Sequence, residues 1–123
     1  MIIGDSISAG YGVNLTEAWP SLLQAMLEDD HLVINSSVSG DTSAGGLFRA
    51  NQYFSVNKPD IVVIEIGGND GLRALSLGDL KNNIQSITLL LSFVSLLNSV
   101  LLSIALNKRC VLNPFLSKNE TVL

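Results

Sequence analysis

Residues 61–71 read Ile61-Val62-Val63-Ile64-Glu65-Ile66-Gly67-Gly68-Asn69-Asp70-Gly71, and this stretch decides the fold class. Its β-branched run favours a strand, and Gly67-Gly68 end it. The apolar character is continuous rather than alternating, which predicts burial on both faces, as in a parallel sheet. Upstream, Asn57-Lys58-Pro59-Asp60 forms a turn. Further back, Leu32-Val33-Ile34-Asn35 reads as a second buried strand, and Ile2-Ile3 as the end of another. Helical signals alternate with these runs. A helix is predicted over 17–29, with Thr16 as N-cap and Pro20 in the first turn, where a missing N–H costs little. Ala18, Leu22 and Met26, with Trp19, Leu23 and Leu27, form an apolar stripe at helical spacing. A second helix is predicted over 44–54. A third begins near Leu77–Asp79 and carries Leu80, Ile84 and Ile87. Strand, helix, strand, helix, strand, helix is the order of a three-layer α/β/α fold on a parallel sheet with right-handed crossovers. Ligands bind such sheets outside the carboxyl ends of the strands.

Composition narrows the class further. The chain has 123 residues, one domain at most by ordinary domain sizes. It is 47% hydrophobic and 15% charged, which excludes a disordered chain. A net charge of −4 excludes a general nucleic-acid binder, which needs clustered Lys and Arg. The single Cys110 excludes an internal disulfide and reads as an inert thiol; with only His31 beside it, it makes no ordinary zinc cage. Met1-Ile2-Ile3 runs straight into Gly4-Asp5-Ser6 without the basic and apolar regions of a secretory signal.

The charge is unevenly spread. Residues 1–81 carry ten acidic and four basic side chains, whereas residues 82–123 carry only Lys108, Arg109, Lys118 and Glu120. From Asn82 to Asn107 there is no charge, a length compatible with a membrane span flanked by Lys108-Arg109. The Ser, Thr, Gln and Asn residues within it, and its continuity with an amphipathic helix, favour a buried helix plus strand, or a non-native tail.

Three polar loops follow the three apolar runs: Gly4-Asp5-Ser6-Ile7-Ser8-Ala9-Gly10, Asn35-Ser36-Ser37-Val38-Ser39-Gly40-Asp41-Thr42-Ser43, and Gly67-Gly68-Asn69-Asp70-Gly71. The topology brings all three to one sheet edge. That edge gathers a serine hydroxyl, backbone N–H groups and an asparagine amide, the inventory for nucleophilic attack with an oxyanion hole. Taken singly, Ser6 reads as an N-cap, and Gly40 and Asn69 as turn residues; their case rests on the constellation. Asp5, Asp41 and Asp70 have the oxygen ligands of a Mg²⁺ or Ca²⁺ site. Such residues more often satisfy loop N–H groups, so no metal is expected. Neither Gly-x-x-x-x-Gly-Lys-Ser/Thr nor Gly-x-Gly-x-x-Gly occurs, so no nucleotide cofactor is expected either.

These loops resemble the first three blocks of the SGNH (GDSL) hydrolase superfamily, and most of all its bacterial arylesterase, acyl-CoA thioesterase I and lysophospholipase L1 group. Gly4-Asp5-Ser6-Ile7-Ser8-Ala9-Gly10-Tyr11-Gly12 matches the first block, and Ala18-Trp19-Pro20 with Leu22-Leu23 the first helix. Ser39-Gly40-Asp41-Thr42-Ser43 and Gly67 to Arg73 match the second and third blocks. The resemblance covers residues 1–87. It implies a flavodoxin-like sheet and a serine ester hydrolase acting on a small-molecule acyl ester or thioester. It also implies Ser6 as nucleophile, with the Ser6 and Gly40 N–H groups and the Asn69 amide as oxyanion hole. The loop from Asp70 to Leu75 would line the acyl site. Proteins of this kind are often periplasmic or secreted.

The resemblance also has a gap. The family's fourth block is Asp-x-x-His, whose His is the base and whose Asp orients it; the sequence contains no such block. Its one histidine, His31, stands before the Leu32–Asn35 run, about 15 Å below the catalytic edge at strand spacing. A base must come within about 3 Å of the proton it removes. Residues 88–123 are Leu- and Ser-rich and match nothing in the family, the pattern of a truncated or frame-shifted coding sequence. The expectation is an SGNH-type hydrolase on an incomplete sheet, impaired in turnover. Its rivals are a non-catalytic module that binds acyl or ester ligands and a membrane-anchored fragment.

Overall fold

The computed structural model describes residues 1–27 and 31–106. Its sheet is short and parallel. Strand β1 (Ile2–Gly4) pairs with β2 (Val63–Glu65) in the register Ile2–Val63, Ile3–Ile64, Gly4–Glu65. On the other side of β1, Ile2 forms a parallel bridge to Asn35. The Ile2 N–H donates to the Ile34 carbonyl at 2.8 Å, and the Ser36 and Val38 N–H groups donate to Ile2 and Gly4 at 3.0 and 3.1 Å. β1 is therefore central, and the three loops predicted to converge do leave the same edge.

The helices are α1 (Ser6–Ala9), α2 (Trp19–Leu27), α3 (Ser43–Asn57), α4 (Gly68–Leu72) and α5 (Leu77–Leu106). The chain is thus a mixed α/β structure around a short two-stranded parallel sheet. Ile3, Ala50, Phe54 and Ile87 form the buried core between β1, α3 and α5, with Met1, Val62, Ile64 and Leu90 packed against it.

Several expectations are corrected. The Leu32–Asn35 run is not a buried strand: it makes one bridge, and Leu32 is exposed. A side chain serves its outer edge, because the Val33 N–H donates to Gln24 Oε1 at 2.7 Å and Gln24 Nε2 donates to the His31 carbonyl at 2.8 Å. With those groups paired to α2, no further strand is required there.

The run over 61–66 yields a strand only at Val63–Glu65 and is not buried on both faces. Val62 and Ile64 turn toward α3 and α5, while Ile61 remains 57% exposed and Val63 39% exposed. On that second face, Ile2 and Val63 look across a cavity of about 450 Å³ at Leu23 and Leu27 of α2 rather than into close packing. The cover is too distant to bury Ile61 and Val63, although Ile2 itself is buried.

Helix α2 begins at Trp19, not Glu17, and Thr16 does not cap it. The segment before it is a turn in which the Glu17 and Ala18 N–H groups donate to the Asn14 carbonyl. Asp29, the predicted end of this helix, lies outside the described residues. α3 is longer at both ends than the predicted 44–54. α1 and α4 are single turns formed by stretches that read as loops. No helix among the described residues is long and apolar enough to cross a membrane. Cys110 and Lys108-Arg109 lie outside the described residues.

Candidate active site

The site is built where β1, the 32–38 segment and β2 end. Ser6 is the first residue of α1, directly after β1. Capping falls to the preceding residue: Asp5 Oδ1 accepts from the Ile7 N–H at 3.2 Å, and Gly10 closes the turn in the left-handed conformation. Ser6 is therefore not spent as an N-cap. It is half-buried, and among the described residues its hydroxyl and its N–H have no hydrogen-bond partner.

Gly40 follows the central loop with φ of +80°, a conformation that favours glycine. Its carbonyl accepts from Arg73 Nη2 at 2.7 Å. Asn69 is the second residue of α4 and reaches both other loops. Its Nδ2 donates to the Asp41 carbonyl at 2.8 Å and to Asp5 Oδ2 at 3.3 Å. One amide thus bridges the residue before Ser6 and the residue after Gly40. The three sequence-derived site residues come together, and Asn69 already uses its amide hydrogens within the site.

The three aspartates hold loops. Asp5 is buried and serves Ile7 and Asn69, and Asp41 Oδ1 accepts from the Thr42 N–H at 3.0 Å. Asp70, 3% exposed, accepts from the Ser43 N–H at 2.8 Å and the Ser43 hydroxyl at 2.5 Å. Thr42, at the N-cap of α3, makes no side-chain cap, so Asp70 supplies that function from 27 residues away. Asn83 Nδ2 adds a bond to the Ser43 hydroxyl at 2.9 Å. No cluster of three or more His, Cys, Asp or Glu side chains suited to a metal occurs among the described residues.

Two arginines stitch the loops, and sequence reasoning gave neither a role. Arg49, from α3, pairs with Asp41 and donates to the Gly4 carbonyl at 3.0 Å. Burial lowers its pKa, partly offset by Tyr53. Arg73 anchors Gly40 as described. The nearest sequence signal was charge scarcity: Arg49 and Arg73 are two of only four basic residues in the first 81. His31 stands at the opposite edge, lining the cavity at the amino ends of the strands with Met1, Asp60 and Ile61.

The arrangement offers a free serine hydroxyl, two open backbone donors and an amide at one sheet edge. Comparison with known proteins agrees with that chemistry. The model of the GDSL-like Lipase/Acylhydrolase family matches residues 2–109. The chain is 48% identical to esterase TesA of Pseudomonas aeruginosa over 90 residues, 71% of this chain and 45% of that protein. It is 40% identical to thioesterase 1/protease 1/lysophospholipase L1 of Escherichia coli over 87 residues, 71% of this chain and 42% of that protein. The crystal structure of TesA superposes with a TM-score of 0.73 at 45% identity, covering 76% of this chain and 53% of that one. The chain thus spans about half the length of the curated relatives it matches.

Proposed function

The chain belongs to the GDSL-like Lipase/Acylhydrolase family, and from that premise we propose that it is an ester hydrolase by descent in which Ser6 is the nucleophile. The finer architecture is that of the family, a three-layer α/β/α flavodoxin-like sheet of which residues 1–87 supply the front. Ser6 Oγ would attack the carbonyl carbon of an acyl ester or thioester. The carbonyl oxygen, now an oxyanion, would be met by the Ser6 and Gly40 N–H groups and by Asn69 Nδ2 after it releases its long bond to Asp5. Expulsion of the alcohol or thiol leaves an acyl-serine, which water hydrolyses. The loop Asp70–Leu75 would receive the acyl group; Leu72 is 86% exposed there. The observation that carries this reading is the Asn69 amide joining the Ser6 and Gly40 loops.

Turnover by these 123 residues is expected to be slow, because the one histidine stands at the wrong edge. Binding and an oxyanion hole without the base leave about 10³–10⁴-fold over water in hydrolytic triads. Hydrolysis of p-nitrophenyl butyrate by this chain and by Ser6→Ala tests the assignment. Slow release that disappears in Ser6→Ala supports it; release unchanged by Ser6→Ala refutes the nucleophile, and fast Ser6-dependent turnover refutes the impairment. One observation favours a second reading, a module that binds such ligands without cleaving them: Asn69 is fully engaged with Asp5 and Asp41. Saturable binding of a butyl ester, unaltered by Ser6→Ala and without turnover, would select it.

A further inference from the structure

α1 has four residues. A single turn fixes several dihedral angles for one or two hydrogen bonds and does not hold itself together in water. Its backbone bonds include the Ala9 N–H to the Asp5 carbonyl at 2.9 Å, and the Gly10 and Tyr11 N–H groups to the Ser6 carbonyl, the latter at 3.0 Å. Ile7 projects into solvent, and the one fully buried residue of the turn is Ser8.

Ser8 is held from three directions. Its hydroxyl donates to Glu65 Oε2 at 2.8 Å, at the end of β2. Its carbonyl accepts from Asn35 Nδ2 at 2.8 Å, on the far side of β1. Beneath it lies Gly4, where a Cβ would stand 2.7 Å from both Ser8 Cβ and Ser8 Oγ. Only glycine admits this approach. The Glu65 carbonyl also accepts from the Asp5 N–H at 3.2 Å, so one residue of β2 grips the turn at both its cap and its buried side chain. The grip runs across 57 residues of sequence.

We propose that Ser8 and Glu65 are positioning residues for the Ser6 nucleophile: Glu65 holds Ser8, and Ser8 fixes the one-turn helix that carries Ser6. This rests on the reading of Ser6 given above. The geometry has a specific consequence. Ser6 and Ser8 lie on opposite sides of the turn, and Ile7 between them is exposed. Loss of the Ser8–Glu65 bond therefore frees the direction of the Ser6 hydroxyl and the aim of its N–H, while the core of Ile3, Ala50, Phe54 and Ile87 on the other sheet face is untouched. Misplacement of a nucleophile by about 1 Å costs on the order of 100-fold in rate.

The test compares the parent chain with Ser8→Ala, Glu65→Ala and Glu65→Gln. Gln keeps an oxygen that accepts from the Ser8 hydroxyl. Two measurements are made on each: the rate at which ethyl p-nitrophenyl butylphosphonate modifies Ser6, followed by mass spectrometry, and amide hydrogen exchange by NMR. Ser8→Ala and Glu65→Ala are expected to slow Ser6 modification at least tenfold, with Glu65→Gln within about threefold of the parent. The Ala9 and Tyr11 amides should exchange at least tenfold faster in the two Ala variants, while those of Ala50 and Phe54 keep the parent rate. Ser6 modification unchanged in Ser8→Ala overturns the proposal. So does exchange that rises equally in α1 and α3, which would make the contact a general stabiliser, and so does failure of Glu65→Gln to restore the rate. If Ser6 of the parent is not modified at all, the nucleophile reading fails instead. The exchange contrast between α1 and α3 then decides by itself whether Ser8 and Glu65 fix the turn.

Discussion

Asp70→Ala should be among the most damaging single changes near the site that leaves the hydrophobic core intact. Asp70 is 3% exposed and makes two bonds to Ser43, which is itself fully buried. The Ser43 N–H belongs to the first residue of α3 and has no partner within the helix. Without the carboxylate it is buried with no acceptor, at a cost of about 1–3 kcal/mol. The Ser43 hydroxyl still accepts from Asn83, but its own hydrogen loses a charge-assisted bond, a further ~1.5 kcal/mol. The sum is about 3 kcal/mol. With a urea dependence of about 1.5 kcal/mol per molar for a small protein, the unfolding midpoint falls by about 2 M. Asp70→Asn keeps an oxygen for the Ser43 N–H and should fall by about half as much. Urea titration followed by circular dichroism reads both. Midpoints within about 0.3 M of the parent for both variants, or an Asn variant as damaged as Ala, would refute the account of Asp70 as the cap of α3.

Further predictions concern the two arginine tethers. Arg49→Met leaves the largely buried Asp41 carboxylate without its counter-charge and the Gly4 carbonyl without its donor; breaking such a pair costs about 3–5 kcal/mol. Adding Asp41→Asn should restore part of that loss, and a double-mutant cycle of urea midpoints in which the second change restores nothing would count against the pair. Gly40→Ala places a side chain at φ +80°, where its Cβ meets only Arg73 Nη2 at 3.8 Å. The cost is thus conformational, about 1–2 kcal/mol. Arg73→Ala should not relieve it, and a midpoint that recovers in the double variant would mean that crowding rather than backbone strain sets the cost.

Signals that depend on neighbours in sequence were legible without the structure. The Gly67-Gly68 stop, the apolar spacing of α2, and the small polar residues after Ile2-Ile3 each identified an element or its end. The constellation of Ser6, Gly40 and Asn69 was legible too, because parallel strands with crossovers deliver successive loops to one edge. Two readings failed for tertiary reasons. Ile61 to Ile66 has the composition of a doubly covered strand, yet α2 stands off across a cavity and Ile61 and Val63 stay in solvent. Leu32 to Asn35 has the composition of a strand, yet Gln24 takes its edge amide.

The amino-acid order alone was enough for a mixed α/β chain on a parallel sheet, for the family, and for the three residues that meet at one sheet edge. It also determined that the lone histidine falls at the far end from them. What the tertiary structure alone decided is how that edge is held. Asp70 caps a helix that begins 27 residues earlier, Arg73 fixes the Gly40 carbonyl, Asn69 joins two loops, and Glu65 grips Ser8. The physical reason is range. Periodicity and turn chemistry act over a few residues and are written locally. The partner of a buried hydrogen-bonding group is set by the register of β1 against β2 and by the approach permitted at Gly4, and those exist only once distant segments have packed.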